Sequence, residues 1–270
     1  MTAMKKTAKG IQSIETGYRL LAQFQRSPGP QGLRMLAKGA GMTPTKAYFY
    51  LTSFVRVGLL ARTEDGSYRL GPNLLDLGLT ALSQIDVLDA ARAAMQELRN
   101  ELGGDVFLSV WGSRGAVIVQ RVLGTRWSSW EIRVGAVLPP LSATGRAFLA
   151  HFPEPLRREL IRAELRRADA HDPWHRLSES AAMEMCEEVR RHGLSRGSGN
   201  VIPGHTSLAA PVLGVDGTAS AAITLSGDAG RFDSAYNGRN ARTLLAVTRR
   251  LSHAIGGPAR LPAKTRKKSR

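Results

Sequence analysis

Two groups of residues in this 270-residue chain have the types and spacing to do chemistry. The first is Thr43-Pro-Thr-Lys46, followed by Tyr48, Phe49 and Thr52. Thr43 is placed to cap a helix, and Pro44 suits the first helical position, where a missing N–H costs nothing. Ala47, Leu51, Phe54 and Val55 then share a buried face, leaving Thr45, Lys46, Tyr48, Phe49, Thr52 and Ser53 more exposed. Such a helix can enter a DNA major groove by its N-terminus. The second group is Ser142, Thr144 and Gly145, which precede a helix whose free N–H groups and positive dipole end favour a carboxylate. Trp127, Trp130, Leu138 and Leu141 could wall this cup with apolar surface. The competing reading is a helix cap beside a filled core. Trp127 and Trp130 point to an aromatic or flat ligand, or equally to core or a subunit contact.

Other chemistry finds little support. There is no Gly-x-Ser-x-Gly elbow and no phosphate-cradling Gly-x-x-x-x-Gly-Lys-Ser/Thr loop. Gly197-Ser-Gly199 leads to Pro203 rather than a third glycine. His171-Asp-Pro-Trp-His175 has a metal-like spacing, but Pro173 opposes placing both histidines on one helix face, so a surface loop is the better reading. Cys186 reads as an inert packed thiol. A single cysteine excludes an internal disulfide and any multi-cysteine metal site, which suits the cytoplasm. No metal and no cofactor is expected. The apolar runs fall far short of the ~18 residues of a membrane span, and the basic N-terminus lacks an apolar signal core.

The elements that position these groups follow from periodicity. Leu33, Leu36 and Ala37 mark a short helix, Gly39 and Gly41 a turn, and Pro44 onward a second helix: a helix-turn-helix, or else any helical hairpin packed on a core. Gly58–Arg62 and Ser67–Leu70 flank Thr63-Glu-Asp-Gly66, a hairpin with an Asp-Gly turn signal. That makes the winged form, with Arg62 and Arg69 able to reach phosphates. Before it, 13–25 is read as a helix capped by Ser13, with Ile14, Tyr18, Leu21 and Ala22 on one face. After it, Leu74, Leu75, Leu77, Leu79 and Leu82 make a helix apolar on more than one side, which needs a second copy to cover it. From about residue 86 the pattern runs helix, hairpin (106–111 and 116–123), a period-two run at 130–134, and a helix from about 142. Helices at 156–167 and 178–192, a hairpin (208–213 and 219–226) and a closing helix at 233–255 complete an α+β domain with an antiparallel sheet flanked by helices.

Charge follows the same division. The net charge is +16, of which residues 1–80 carry +7 (11 Lys/Arg against 4 Asp/Glu) and residues 257–270 carry +6. A basic end beside a nearly neutral middle suits one part that meets polyanion and another that does something else; the tail is equally readable as solubilising. The expected organisation is a flexible basic arm at 1–10, the winged helix-turn-helix at 11–71, a linker and dimerisation helix at 72–86, a ligand domain at 87–256 and a disordered basic tail at 257–270.

In order and spacing the chain resembles the IclR-type bacterial transcription regulators. The pieces are Ser13-Ile-Glu-Thr-Gly-Tyr-Arg-Leu-Leu21, the helix-turn-helix, Gly66-Ser-Tyr-Arg-Leu-Gly-Pro72, Val134-Gly-Ala-Val-Leu-Pro139, Ala143-Thr-Gly-Arg-Ala-Phe-Leu-Ala150, Ala209-Ala-Pro-Val212 and Ile223-Thr-Leu-Ser-Gly227. The resemblance implies a linker helix that dimerises, a GAF-like effector domain, and dimers or tetramers on pseudo-palindromic double-stranded DNA operators. It also implies a small organic effector, and places Ser207, Thr224 and Ser226 at ligand-lining strand positions. Two departures stand out: Pro44 and Tyr48-Phe-Tyr50 replace common basic residues of the reading helix, and Gly197-Ser-Gly199 replaces an acid often found after the Gly193 turn. The expected function is a DNA-binding regulator, not an enzyme, that responds to an organic acid. The alternative is a metabolite-binding module or enzyme with a vestigial helix-turn-helix.

Overall fold

The computed structural model describes residues 10–27, 29–83, 87–124, 132–169, 172–199 and 201–257. The chain divides into two compact units, Met1–Gln84 and Ile85–Arg270. In the first, α1 (Gln12–Leu21) runs into a 3-10 turn (Ala22–Gln25), then α2 (Leu33–Gly39), α3 (Pro44–Arg56), the hairpin β1 (Leu60–Arg62) and β2 (Tyr68–Leu70), and α4 (Pro72–Ser83). Thr43 caps α3, its hydroxyl oxygen accepting the Lys46 N–H at 3.3 Å, with Pro44 in the first turn. Gly41 adopts φ +68° in the turn between α2 and α3, a conformation that disfavours side chains. The core gathers Leu20, Phe24, Leu36, Ala47, Leu51, Leu60 and Tyr68. Gln31 pairs through its backbone with Tyr68, extending the small sheet.

The expected inner face of α1 needs correction. Ile14 and Tyr18 are exposed, whereas Thr16, Gly17 and Leu20 are buried. A Cβ on Gly17 would come 2.8 Å from the Phe54 ring, so the missing side chain lets α1 approach α3 on that face. The helix starts beyond Ile11 without a side-chain cap, so Ser13 is not its cap.

The second unit is built on a six-stranded antiparallel sheet in the order β5-β4-β3-β8-β7-β6. The strands are β3 (Asp105–Gly112), β4 (Gly115–Val122), β5 (Val137–Leu138), β6 (Ser195–Ser198), β7 (His205–Leu213) and β8 (Ala219–Asp228). Helices α5 (Val87–Leu102) and α9 (Arg239–Ala254) cover one face, packing Met95, Leu98, Leu244 and Val247 onto Val106, Leu108, Leu208, Ile223 and Leu225. Each such side chain, once buried, contributes about 1.5–3 kcal/mol. On the other face lie α6 (Ala143–Leu149), α7 (Glu154–Arg167) and α8 (Glu179–His192), with Ala143, Ala147 and Phe148 against Ala116, Ala209 and Ala222. Arg158 and Arg162 both reach Glu179, tying α7 to α8 at the surface.

Two further expectations change, and one strand is added. Residues 132–134 form no strand, and 130–131 lie outside the described residues. The closing helix starts at Arg239, because the Asp233 carboxylate accepts the Arg239 N–H at 2.9 Å and the Ala235 N–H at 3.1 Å and so shapes the turn before it. Residues 195–198, to which the sequence pattern assigns no element, form the edge strand β6.

Candidate functional site

Strand register builds a cavity on the α6 side of the sheet. Phe107 pairs with Thr224 and Thr224 with Ala209; two residues along, Ser226 pairs with Ser207 and Ser207 with Gly197. Alternation sends Ile223 and Leu225 to the α5–α9 face and turns Thr224 and Ser226 toward α6. Thr144 and Thr224 share a hydrogen bond of 2.8 Å between hydroxyls, and Ser226 donates to the Thr206 carbonyl at 3.2 Å. Of the residues expected from sequence, Leu138, Leu141, Ser142, Thr144, Ser207, Thr224 and Ser226 all line this cavity.

Gly145 does not. A Cβ there would come 2.4 Å from the Pro139 carbonyl oxygen and 2.3 Å from that of Pro140, so this residue faces the preceding loop. Its N–H donates to Ser142 Oγ at 3.0 Å, which caps the seven-residue α6. One N–H of the expected anion seat at Ser142–Gly145, that of Gly145, is thus taken by the chain's own hydroxyl. Trp127 and Trp130 lie outside the described residues.

Other lining residues carried no functional expectation. Arg146, 6% exposed, lines the cavity; its Nη2 donates to the Arg196 carbonyl at 2.6 Å and its Nε to the Ser142 carbonyl at 3.4 Å. Burial draws its pKa below the ordinary arginine value, opposed by Tyr236, Cys186 and Glu188, and a guanidinium keeps its charge at neutral pH. Trp174 is buried against the cavity, and its indole N–H meets no acceptor among the described residues. The stretch read as a surface loop therefore delivers one buried aromatic, while His175 stays exposed. His205 lines the same cavity and lies 3.7 Å from Asp228. Cys186 is buried, and burial pushes its thiol up to about 11, out of the range of a reactive thiolate. Among the described residues no group of three His, Cys, Asp or Glu could hold a metal.

The other candidate surface belongs to the first unit. Thr43, Thr45, Lys46, Tyr48 and Phe49 are exposed on α3, and Thr52 is half-buried. Tyr48 and Phe49 meet edge to face at 6.1 Å. On the hairpin Arg62 and Arg69 are both exposed, and Arg62 folds along the hairpin, its Nε 3.4 Å from the Gly66 carbonyl and its guanidinium 5.9 Å from the Tyr68 ring centre. A capped helix with polar residues outward, beside a short hairpin carrying arginine, is the geometry of a winged helix-turn-helix.

Residues 13–64 match the IclR helix-turn-helix domain, and residues 79–253 match the bacterial transcriptional regulator IclR C-terminal domain. The chain belongs to the IclR family. It is 25% identical over 251 residues to the HTH-type transcriptional regulator XynR of Escherichia coli K12, spanning 92% of this chain and 99% of that one. HmgR of Pseudomonas aeruginosa is 35% identical, with a TM-score of 0.56 over 92% of this chain and 99% of that chain. An IclR homologue of Microbacterium hydrocarbonoxydans, solved in complex with 4-hydroxybenzoate, shares the fold at a TM-score of 0.71 and 20% identity, over 90% and 98% of the two chains.

This IclR-family chain is therefore a transcriptional regulator with a DNA-binding helix-turn-helix and an effector-binding C-terminal domain. One signal could have pointed to Arg146: it lies four residues after Ser142, the spacing that puts side chains on one helical face. Phe107, Gly197, His205 and Trp174 have no such local signature, since sheet register and the α7–α8 connection bring them in.

Proposed function

We propose that this regulator binds a pseudo-palindromic operator as a dimer or tetramer, and that a small organic acid in the α6–sheet cavity changes its operator affinity. The observation that carries the reading is the polar row Thr224, Ser226 and Ser207 set between apolar clusters and opening on a cavity. Thr224 and Ser226 each hold one hydrogen bond within the chain, and a hydroxyl with two lone pairs and one proton has capacity left for a group in the cavity. The relative that holds 4-hydroxybenzoate supports an organic acid as the ligand class. Ser142, Thr144, Ser207, Thr224 and Ser226 supply hydrogen bonds to it, and Leu138 and Leu141 cover its apolar body. Thr45 and Lys46 read bases with Tyr48 in van der Waals contact, Thr43 holds the helix start, and Phe49, Thr52, Arg62 and Arg69 complete the DNA face. Relatives named as regulators support action by binding rather than by catalysis.

The test is a gel-shift titration on the DNA beside its own gene, with and without 4-hydroxybenzoate and a panel of aliphatic acids. Sequence-preferring binding whose midpoint moves with an acid supports the reading. Binding without sequence preference at moderate salt, or a midpoint that no acid moves, overturns it.

A further inference from the structure

We infer that the Arg146 guanidinium is the charge partner of the effector, so that the cavity selects small monoanions, carboxylates foremost, over neutral compounds of the same shape. The inference rests on the reading of the cavity as the effector site. Arg146 lines the cavity at 6% exposure, and among the described residues no carboxylate lies within ion-pair distance of it, Glu188 acting only from farther off. Its two hydrogen bonds go to the carbonyls of Arg196 and Ser142, which orient the fork without neutralising it. Glu188 acts on it only through longer-range electrostatics and is hydrogen-bonded with Tyr236. A buried cation with no carboxylate in direct contact is costly unless an anion arrives.

The surroundings fit such an arrival. The Arg196 carbonyl that holds Nη2 adjoins Gly197, and a Cβ on Gly197 would sit 2.5 Å from Ser207 Oγ. Glycine there keeps the Arg146 end of the cavity open and leaves the Ser207 hydroxyl accessible as a neutral donor. Phe107, Leu138 and Leu141 line the rest for an apolar body. At the helix start the Gly145 N–H is already taken by Ser142 Oγ, so the guanidinium is the charged donor that faces the cavity.

The experiment measures calorimetric affinities of benzoate, 4-hydroxybenzoate, phenylacetate and hexanoate, each beside its primary amide, for the full chain. Wild type should prefer at least one acid over its amide by roughly tenfold or more, as expected for charge-assisted hydrogen bonds. Arg146→Met should erase that preference and Arg146→Lys should keep part of it, while Thr224→Val with Ser226→Ala should weaken acid and amide alike. The acid–amide comparison in wild type needs no variant to fold. Acid preference that survives in Arg146→Met removes the role of Arg146 and leaves the cavity reading standing. Equal affinity for acid and amide in wild type has the same meaning. Acid binding untouched by Thr224→Val with Ser226→Ala, or no binding by any of the eight compounds, overturns the cavity reading and the inference together.

Discussion

Thr43 shows how one hydroxyl sets both a helix and the surface that helix presents. Its oxygen takes the Lys46 N–H, so the first turn of α3 is fixed with Thr45 and the Lys46 side chain facing outward. Thr45→Ala and Lys46→Ala should each weaken operator binding by about 1–3 kcal/mol where a base contact is lost, with unfolding unchanged. Full operator affinity in both variants, read by fluorescence anisotropy, would put the reading helix elsewhere. On the hairpin, Arg69 is free of the packing that draws Arg62 onto Tyr68 and Gly66. Arg69→Ala should lower the slope of log affinity against log salt by about one, for all DNA sequences alike, and Arg62→Ala by less. Equal slopes for wild type and Arg69→Ala would count against a phosphate contact there. A third residue sets an acid limit. His151 is held down to about 4, first by burial and then by Arg190 and Arg157. Its folded pKa lies below the unfolded value near 6.5, so between these values the unfolded chain binds the proton and the folded chain does not. Stability should therefore fall as pH drops from about 6.5 to 4, by on the order of 3 kcal/mol for this group. His151→Gln should flatten the melting temperature across that window, and an unaltered pH slope would assign the acid loss to other groups.

Among the elements, α4 and α1 make opposite points. Leu75, Leu77 and Leu79 on α4 are 63%, 61% and 54% exposed within their own unit, more apolar surface than one helix ordinarily leaves in water. We expect α4 to be covered by a second copy, so Leu75→Glu with Leu79→Glu should shift the protein from dimer or larger to monomer in light scattering. A wild-type monomer at micromolar concentration would remove the idea. On α1, apolar residues fall on two faces, Ile14 and Tyr18 on one and Leu20 with Phe24 beyond it on the other. Periodicity counts both faces alike. Contact with α3 decides between them, because the small residues Thr16 and Gly17 permit the closer approach.

At the scale of the whole molecule, a basic DNA-binding unit is joined to an effector-binding unit of a different composition. Operator affinity should fall linearly with log salt if phosphate contacts dominate it. An acid in the cavity moves that affinity only to the extent that it binds the DNA-competent and incompetent arrangements unequally. Paired titrations make the coupling measurable: the factor by which 4-hydroxybenzoate changes operator affinity should equal the factor by which operator changes 4-hydroxybenzoate affinity. A factor of one in both titrations would show that 4-hydroxybenzoate and operator binding are not coupled.

What the sequence alone determined about this protein is the set of features made by neighbours in the chain. The Thr43-Pro44 helix start, the Asp65-Gly66 turn, the Ser142 cap and the alternation in β8 are local, set by backbone geometry within a few residues. Those signals, in their order, sufficed for the winged helix-turn-helix and for an antiparallel sheet with helices on its faces. Tertiary structure decided what converges. Phe107, Arg146, Trp174, Gly197 and Thr224 come from five separate segments, and strand register with the packing of α6 brings them to one cavity. It also decided that the N–H of Gly145 is spent on a cap and that Arg146 holds a charge beside the cavity. A guanidinium reads as a solvated surface group in a sequence, and only three-dimensional burial strips it of water and turns it toward the cavity.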